Sequence, residues 1–335
     1  MKKVLSLALA AIMVLALCAC SVGGNEKPTT TAAADATTTE AYQAVDMNVL
    51  GLKGPTGMGM AKMISDSKTN GTANNYKFTI SGDPTSVAAG ITTGEYDIAA
   101  CPLNMASVIY NKTNGGVKIL AINTLGILHI LDKTGTVNQL SDLKGKTVVT
   151  SGQGASPEYI LNYILEKNGL KDDVKVEYLS EHSEVATAIL TGKADIVMLP
   201  EPNVTVVTSK DSSVKIAIDM TQEWNKISDV QLAMGAVIAR KDFVEKNGKA
   251  VDKFLEEYKS SVDYINTSAD AGAAIAEAGI VDNAALAQKA IPGSNITLLT
   301  GAELKAAAEA NLNVLLTANP ASVGGKLPGA DFYYG

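Results

Sequence analysis

Arginine is almost missing from this chain. Among 28 cationic side chains Arg240 is the only guanidinium, so a bidentate grip on a carboxylate, sulfonate or phosphate comes from that residue or not at all. Histidine stops at two, His129 and His182, in segments that need not converge, which leaves a His-rich metal centre without its donors. Aromatic residues are 5%, with one tryptophan, and the formal charge is −7. A stacking platform for bases is therefore lacking, and the surface carries the sign that repels a phosphate backbone, so nucleic acid is not an expected partner. The Gly-rich turns match neither the P-loop nor the dinucleotide pattern, and no cofactor is expected. What the chain does have is apolar material, 46% hydrophobic against 19% charged over 335 residues. That excludes wholesale disorder and, by length, suggests two domains rather than one.

The strongest local signal is at the start. Lys2 and Lys3 precede an apolar run over residues 4–17, broken only by Ser6 and too short to span a bilayer comfortably. It ends in Leu17-Cys18-Ala19-Cys20, which resembles a bacterial lipobox. That resemblance implies a signal peptide over 1–19, cleavage before Cys20 and acylation of its sulfur. Residues 20–45, rich in Thr and Ala, bury too little to offset chain entropy and read as a flexible tether. Cleavage moves the charge from −7 to −9 and leaves Cys101 as the lone free thiol, so no intramolecular disulfide is expected. The expected location is the extracytoplasmic face of the cell membrane.

From Asp46 onward, short apolar strands alternate with helical patterns, as in an α/β protein built on mainly parallel sheets. The chain then repeats itself at an offset of roughly 98 residues. GDPTSVAAGITTGEYDIAACP, from Gly82, aligns without gaps to SEHSEVATAILTGKADIVMLP, from Ser180. Val87, Ile91, Gly94, Asp97 and Pro102 fall on Val185, Ile189, Gly192, Asp195 and Pro200. Two copies are too few for a solenoid, so two similar lobes facing each other fit better. A further strand is expected over 231–239, then an amphipathic helix with Val251, Phe254, Leu255, Tyr258, Val262 and Ile265 at helical spacing.

Several strings carry a resemblance: GLKGPTGMGMAKM, LSDLKGKTVVTSGQGASPEY, FLEEYKSSVDYIN, and the paired TTGEYDIAACPLN and LTGKADIVMLPEPN. With them the body resembles the solute-binding component of ABC importers, in the group that includes nitrate-, taurine- and alkanesulfonate-binding proteins. The resemblance implies a periplasmic-binding-protein-like fold of type II, two lobes joined by two crossing segments. The crossings are placed near 126–131 and 230–236. Lobe one then comprises 46–125 and 235–335, and lobe two comprises 126–234. The implied partners are a small-molecule solute, an ABC permease and its ATPase, with the chain itself a monomer.

Ligands in such folds sit beyond the carboxyl ends of strands. That places Lys53, Gly54, Pro55, Thr56, Gly57 and Met58 at a strand-to-helix turn whose backbone amides favour negative charge. Ser151, Gly152, Gln153, Gly154, Ala155 and Ser156 form the equivalent turn of lobe two, with Pro157 suited to a first helical turn. Ser81, Gly82, Cys101, Pro102, Asn104 and Thr124 complete the expected site from lobe one, and His182 and Glu201 from lobe two. Glu201, between two prolines, is expected at the cleft wall to meet a cationic or amide-like group. An ordinary βα turn and a solvent-facing rim carboxylate are the plainer alternatives, and Trp224 and Tyr159 read more readily as packing residues. The expected activity is solute capture without chemistry, of an amino sulfonate, an amino acid or an aminopyrimidine. A sensor without a transport partner is the alternative. An enzyme related to the fungal-type thiamine pyrimidine synthase needs a cysteine-rich motif, which a single free Cys does not supply.

Overall fold

The structure is a computed structural model that describes residues 42–335. The expected signal peptide, Cys20 and most of the expected tether lie outside the described residues. Among those described, no helix is long and apolar enough to cross a membrane.

The chain lays down one sheet, then a second, and returns to the first. The first stretch runs β1 (Asp46–Leu52), α1 (Pro55–Met58), α2 (Ala61–Ser67), β2 (Asn75–Ser81), α3 (Thr85–Thr93), β3 (Ile98–Pro102), α4 (Leu103–Lys112) and β4 (Val117–Leu125). The second runs β5 (Leu128–Asp132), β6 (Thr147–Ser151), α5 (Ser156–Lys167), β7 (Lys175–Leu179), α6 (His182–Leu190), β8 (Ile196–Pro200), α7 (Asn203–Lys210), β9 (Lys215–Asp219) and α8 (Met220–Asn225). The return comprises β10 (Ala233–Arg240), α9 (Lys241–Thr267), α10 (Ala271–Glu277), α11 (Ala284–Ala290), β11 (Ile296–Leu299) and α12 (Gly301–Ala318). Strand order is β11-β4-β10-β3-β1-β2 in the six-stranded sheet and β7-β6-β8-β5-β9 in the five-stranded one.

The internal repeat is visible in those orders. β2-β1-β3 and β7-β6-β8 are the same parallel triplet, with α3 and α6 as equivalent crossover helices. The sheets depart from the mainly parallel expectation in their pairings, of which five of nine are antiparallel. Direction explains this: eight of the eleven strands still run with the majority of their sheet. β10 enters reversed between β3 and β4, β5 enters reversed between β8 and β9, and β11 is reversed on β4. A strand that arrives from the other sheet needs no covering crossover helix, so nothing forces it to be parallel.

Side-chain alternation along the strands divides the core. Met47 and Val49 face the layer that holds α2, α9 and α10, whereas Leu50 and Leu52 face the layer of α4 and α12. In the second sheet Leu128 and Ile130 pack with α5 and Trp224, and Leu131, Val197 and Leu199 with α6 and α7. Helix α9 buries Val251, Phe254, Tyr258, Val262 and Ile265, with Leu255 half-buried, each worth about 1.5–3 kcal/mol of apolar transfer when fully enclosed. It begins at Lys241, earlier than its apolar stripe, and is interrupted at Asn247 (φ −127°).

Candidate functional site

The sheets are joined by residues 126–127 and by residues 226–232. Pairing fixes what lies beside those crossings. Leu128, at the start of β5, is opposite Pro200, at the end of β8; Gly235, near the start of β10, is opposite Pro102, at the end of β3. The carboxyl ends of the parallel strands of both sheets therefore meet at the crossings, and the loops beyond them share one cleft.

On the side of the larger sheet, Lys53 is exposed and paired with Asp282 at 3.2 Å, and the Gly54 N–H donates to the Ile280 carbonyl. Pro55, Gly57 and Met58 are buried, and a side chain at Gly57 would stand 1.9 Å from the Leu52 carbonyl oxygen, so the turn closes only on glycine. Thr56 is half-buried, and its carbonyl accepts from Asn123 Nδ2 at 2.8 Å. Ser81 Oγ accepts from the Asp83 N–H, with Gly82 exposed between them. Thr124 Oγ1 donates to Asn123 Oδ1 at 3.2 Å. Pro102 precedes α4, and Asn104 Nδ2 donates to the Ser322 carbonyl. Cys101, expected to reach the cleft, is wholly enclosed by apolar neighbours instead, and that burial raises its thiol pKa to about 12.

On the other side, Ser151 is buried and its hydroxyl is hydrogen-bonded to Nδ1 of His182, the first residue of α6. Burial holds the His182 pKa below its ordinary value, with Glu181 opposing. Gly152 and Ala155 are half-buried, Gln153 and Gly154 are exposed, and Ser156 opens α5. Glu201 is 5% exposed, and both its oxygens are engaged: Oε2 accepts from the Thr205 N–H at 3.1 Å and Oε1 from Thr205 Oγ1 at 3.0 Å. The carboxylate expected to select a cationic solute thus caps α7, and Gly293, between α11 and β11, covers it. Burial raises its pKa, with the Thr205 hydrogen bonds opposing.

The helix starts that face the crossings differ in a telling way. α3, α6, α7 and α8 have first-turn amides met by Asp83, by Glu181, by Glu201 and by Asp219. α4 and α5, one from each sheet, have no side-chain cap. Their starts, at Asn104 and Ser156, line one small cavity with Trp224, Met234 and Asn311, of about 10 Å³, room for one water. Two long helices thus present N-termini without a side-chain cap to the space between the sheets, with Glu158 in the first turn of α5 accepting from the Gly154 N–H. Farther out, no hydrogen bond links 53–57 or 81–83 to 151–156 or 181–182 among the described residues. The two histidines lie at different strands, His182 against Ser151 at the end of β6 and His129 on β5, with β8 between. Among the described residues no group of three or more His, Cys, Asp or Glu is placed to hold a metal ion.

Sequence reasoning missed Asn123, which ties the first turn to Tyr258 Oη at 3.0 Å, and Thr205, which occupies Glu201. Asn123 had a readable signal, a polar pair closing an otherwise apolar strand just before Gly126. Thr205 had a fainter one, its position four residues past a carboxylate at a helix start.

This fold recurs in solved structures. An ABC transporter protein from Parabacteroides distasonis is 25% identical, with a TM-score of 0.75 over 86% of this chain and 98% of that one. The periplasmic aliphatic sulphonate binding protein from Escherichia coli is 17% identical, with a TM-score of 0.67 over 84% and 94%. The zinc-bound ligand binding component of an ABC-type import system from Staphylococcus aureus is 14% identical, with a TM-score of 0.63 over 87% and 97%. The fold is thus the type II periplasmic-binding-protein fold, α/β with two mixed sheets. Among curated proteins no sequence matches. The family model described as NMT1/THI5 like matches residues 77–271, from β2 through both crossings to the start of α10, and on that match, over more than half its length, the chain belongs to the NMT1/THI5-like family.

Proposed function

We propose that this protein is the extracytoplasmic solute receptor of an ABC importer. It captures a small polar organic solute between lobes formed by 46–125 with 235–335 and by 126–234, and delivers it to a permease. The observation that carries the reading is the pair of uncapped helix starts, α4 and α5, presented from opposite sheets to one cleft. Facing amide clusters can hold an oxygen-bearing solute without performing chemistry on it. Among the structural relatives one is an ABC transporter protein, one a periplasmic aliphatic sulphonate binding protein and one the ligand binding component of an ABC-type import system, which supports the assignment. Catalysis of the thiamine-precursor kind is disfavoured by the one described thiol, Cys101, which is sealed in the core with a raised pKa. Anchorage through acylated Cys20 is part of the proposal.

The test is a thermal-shift screen of alkanesulfonates, amino acids and aminopyrimidines, followed by calorimetry. A ligand at about 1,000 times its Kd stabilises the native state by about 4 kcal/mol. At least one class is expected to raise the melting temperature with a saturable 1:1 isotherm, and a flat response to all three counts against the receptor reading. Cys20→Ser should release the protein into the medium or leave unprocessed precursor; processed, membrane-bound mutant protein would remove the anchor.

A further inference from the structure

The contact between Ser151 and His182 has a direction. Ser151 is 1% exposed, and among the described residues the only hydrogen-bond partner of its hydroxyl is His182 Nδ1. Were Nδ1 protonated and donating to Oγ, the hydroxyl proton would be left inside the protein without an acceptor, which buried polar groups avoid. The hydroxyl therefore donates, Nδ1 accepts, and the proton of the neutral ring lies on Nε2. That nitrogen has a different environment. The enclosed side-chain atoms without a partner, among the described residues, are Asn111 Oδ1, both nitrogens of His129, Thr221 Oγ1 and Arg240 Nε. His182 Nε2 is not one of them and has no protein partner, so it meets solvent.

The surroundings keep the ring neutral and its outer N–H available. His182 is the first residue of α6, where the helix field opposes a cation. The neighbouring carboxylates are occupied locally: Glu181 accepts from the Glu184 N–H, and Glu184 accepts from the N–H groups of Ser180 and Glu181. Asp83, the matching acidic residue of the other repeat, is held by Thr85. We infer that Ser151 and His182 form a directional couple in which Ser151 fixes the ring so that His182 Nε2–H donates to an oxyanion of the bound solute. The inference rests on the cleft being the solute site, and it narrows the solute to one that presents a sulfonate or carboxylate oxygen at this point. An amine placed against Nε2 meets a donor rather than an acceptor. Ser151 is on this account a positioning residue.

With two histidines in the chain, nitrogen NMR of ¹⁵N-histidine protein reads the couple directly, and His182→Gln assigns the ring. In the solute-free wild type His182 is expected as the Nε2–H tautomer, with an unprotonated, accepting Nδ1; an Nδ1–H ring or an even mixture overturns the proposal. Ser151→Ala should convert the ring to a mixture, while Ser151→Thr, which keeps the hydroxyl, should retain the single tautomer. The probes are 2-aminoethanesulfonate and its carboxylate analogue β-alanine, with ethylamine as the cation-only control. One or both oxyanions should move the Nε2–H resonance, the sulfonate alone or the carboxylate alone identifying the headgroup, and ethylamine should not. Ser151→Ala should weaken the active probe about 5- to 10-fold. Failure of both oxyanions to move the resonance overturns the solute assignment, even if another compound raises the melting temperature and the receptor reading stands.

Discussion

Two buried groups on the second sheet give stability opposite dependences on pH. His129 lies opposite Leu199, on the face of the sheet that also carries Glu201, and among the described residues its ring nitrogens have no hydrogen-bond partner beyond the Gly293 backbone. Burial lowers its pKa, with Asp219 and the Gly293 backbone opposing. A base whose native pKa lies below the unfolded value of about 6.5 is protonated first in the unfolded chain, so stability falls as pH drops through that value. Glu201 has the reverse sign: its native pKa is raised, so the native state takes the proton first and stability recovers as pH falls toward about 4.5. His129→Leu is therefore expected to flatten the loss between pH 7 and pH 5, which for one group is at most about 1.4 kcal/mol per pH unit. Urea unfolding across that range checks it, and parallel slopes for variant and wild type would show that His129 carries no such penalty. Glu201→Ala, measured at pH 7, should cost about 1 kcal/mol through the lost α7 cap. A solute-binding defect without that loss would return the carboxylate to the cleft.

Elements were more legible than residues. The spacing of Val251, Phe254, Tyr258, Val262 and Ile265 is a local property, and α9 follows it. The repeat likewise foretold the matching β-α-β triplets, because each is built from contiguous sequence. The antiparallel insertions of β5 and β10 were not legible, since their partners lie 64 or more residues away and the strands themselves look alike. Of the site, the two turns with their exposed and half-buried loops were readable from glycine patterns. The occupation of Glu201 by Thr205 was not, because it depends on where α7 begins. The shortest element, the two-residue crossing, makes its own prediction. A side chain at Gly126 would lie 2.2 Å from Thr221 Oγ1 and 2.9 Å from Leu232 Cδ2. Gly126→Ala should destabilise by about 1–3 kcal/mol through overpacking. Thr221→Ala removes a buried hydroxyl that has no partner among the described residues, and in that background the same change should cost measurably less. Additive costs in a denaturation cycle would place the strain elsewhere.

At the scale of the molecule, the distribution of contacts between the sheets determines what a solute can do. Near the crossings the two sides are tied: Asn295 Nδ2 donates to the Gly126 carbonyl, Asn311 Nδ2 to the Gln231 carbonyl at 2.9 Å, and Asn319 Nδ2 to Tyr159 Oη at 2.8 Å. Tyr159, on α5, also packs into the apolar cluster of the larger sheet. Between the outer loops no such tie exists among the described residues, so 53–57 and 81–83 are free to approach 151–156 and 181–182. Two crossings, one of two residues and one of seven, allow rotation about a line through them. A solute that bridges both loop sets binds the closed arrangement better than the open one, and only that difference can shift the balance. Small-angle scattering at saturating solute should accordingly give a smaller radius of gyration than the solute-free protein. His182→Ala, which removes the outer donor, should reduce affinity while leaving the solute-free radius unchanged. An equal radius with and without solute, at a concentration where calorimetry shows full occupancy, would mean that the two sides do not close on what they bind.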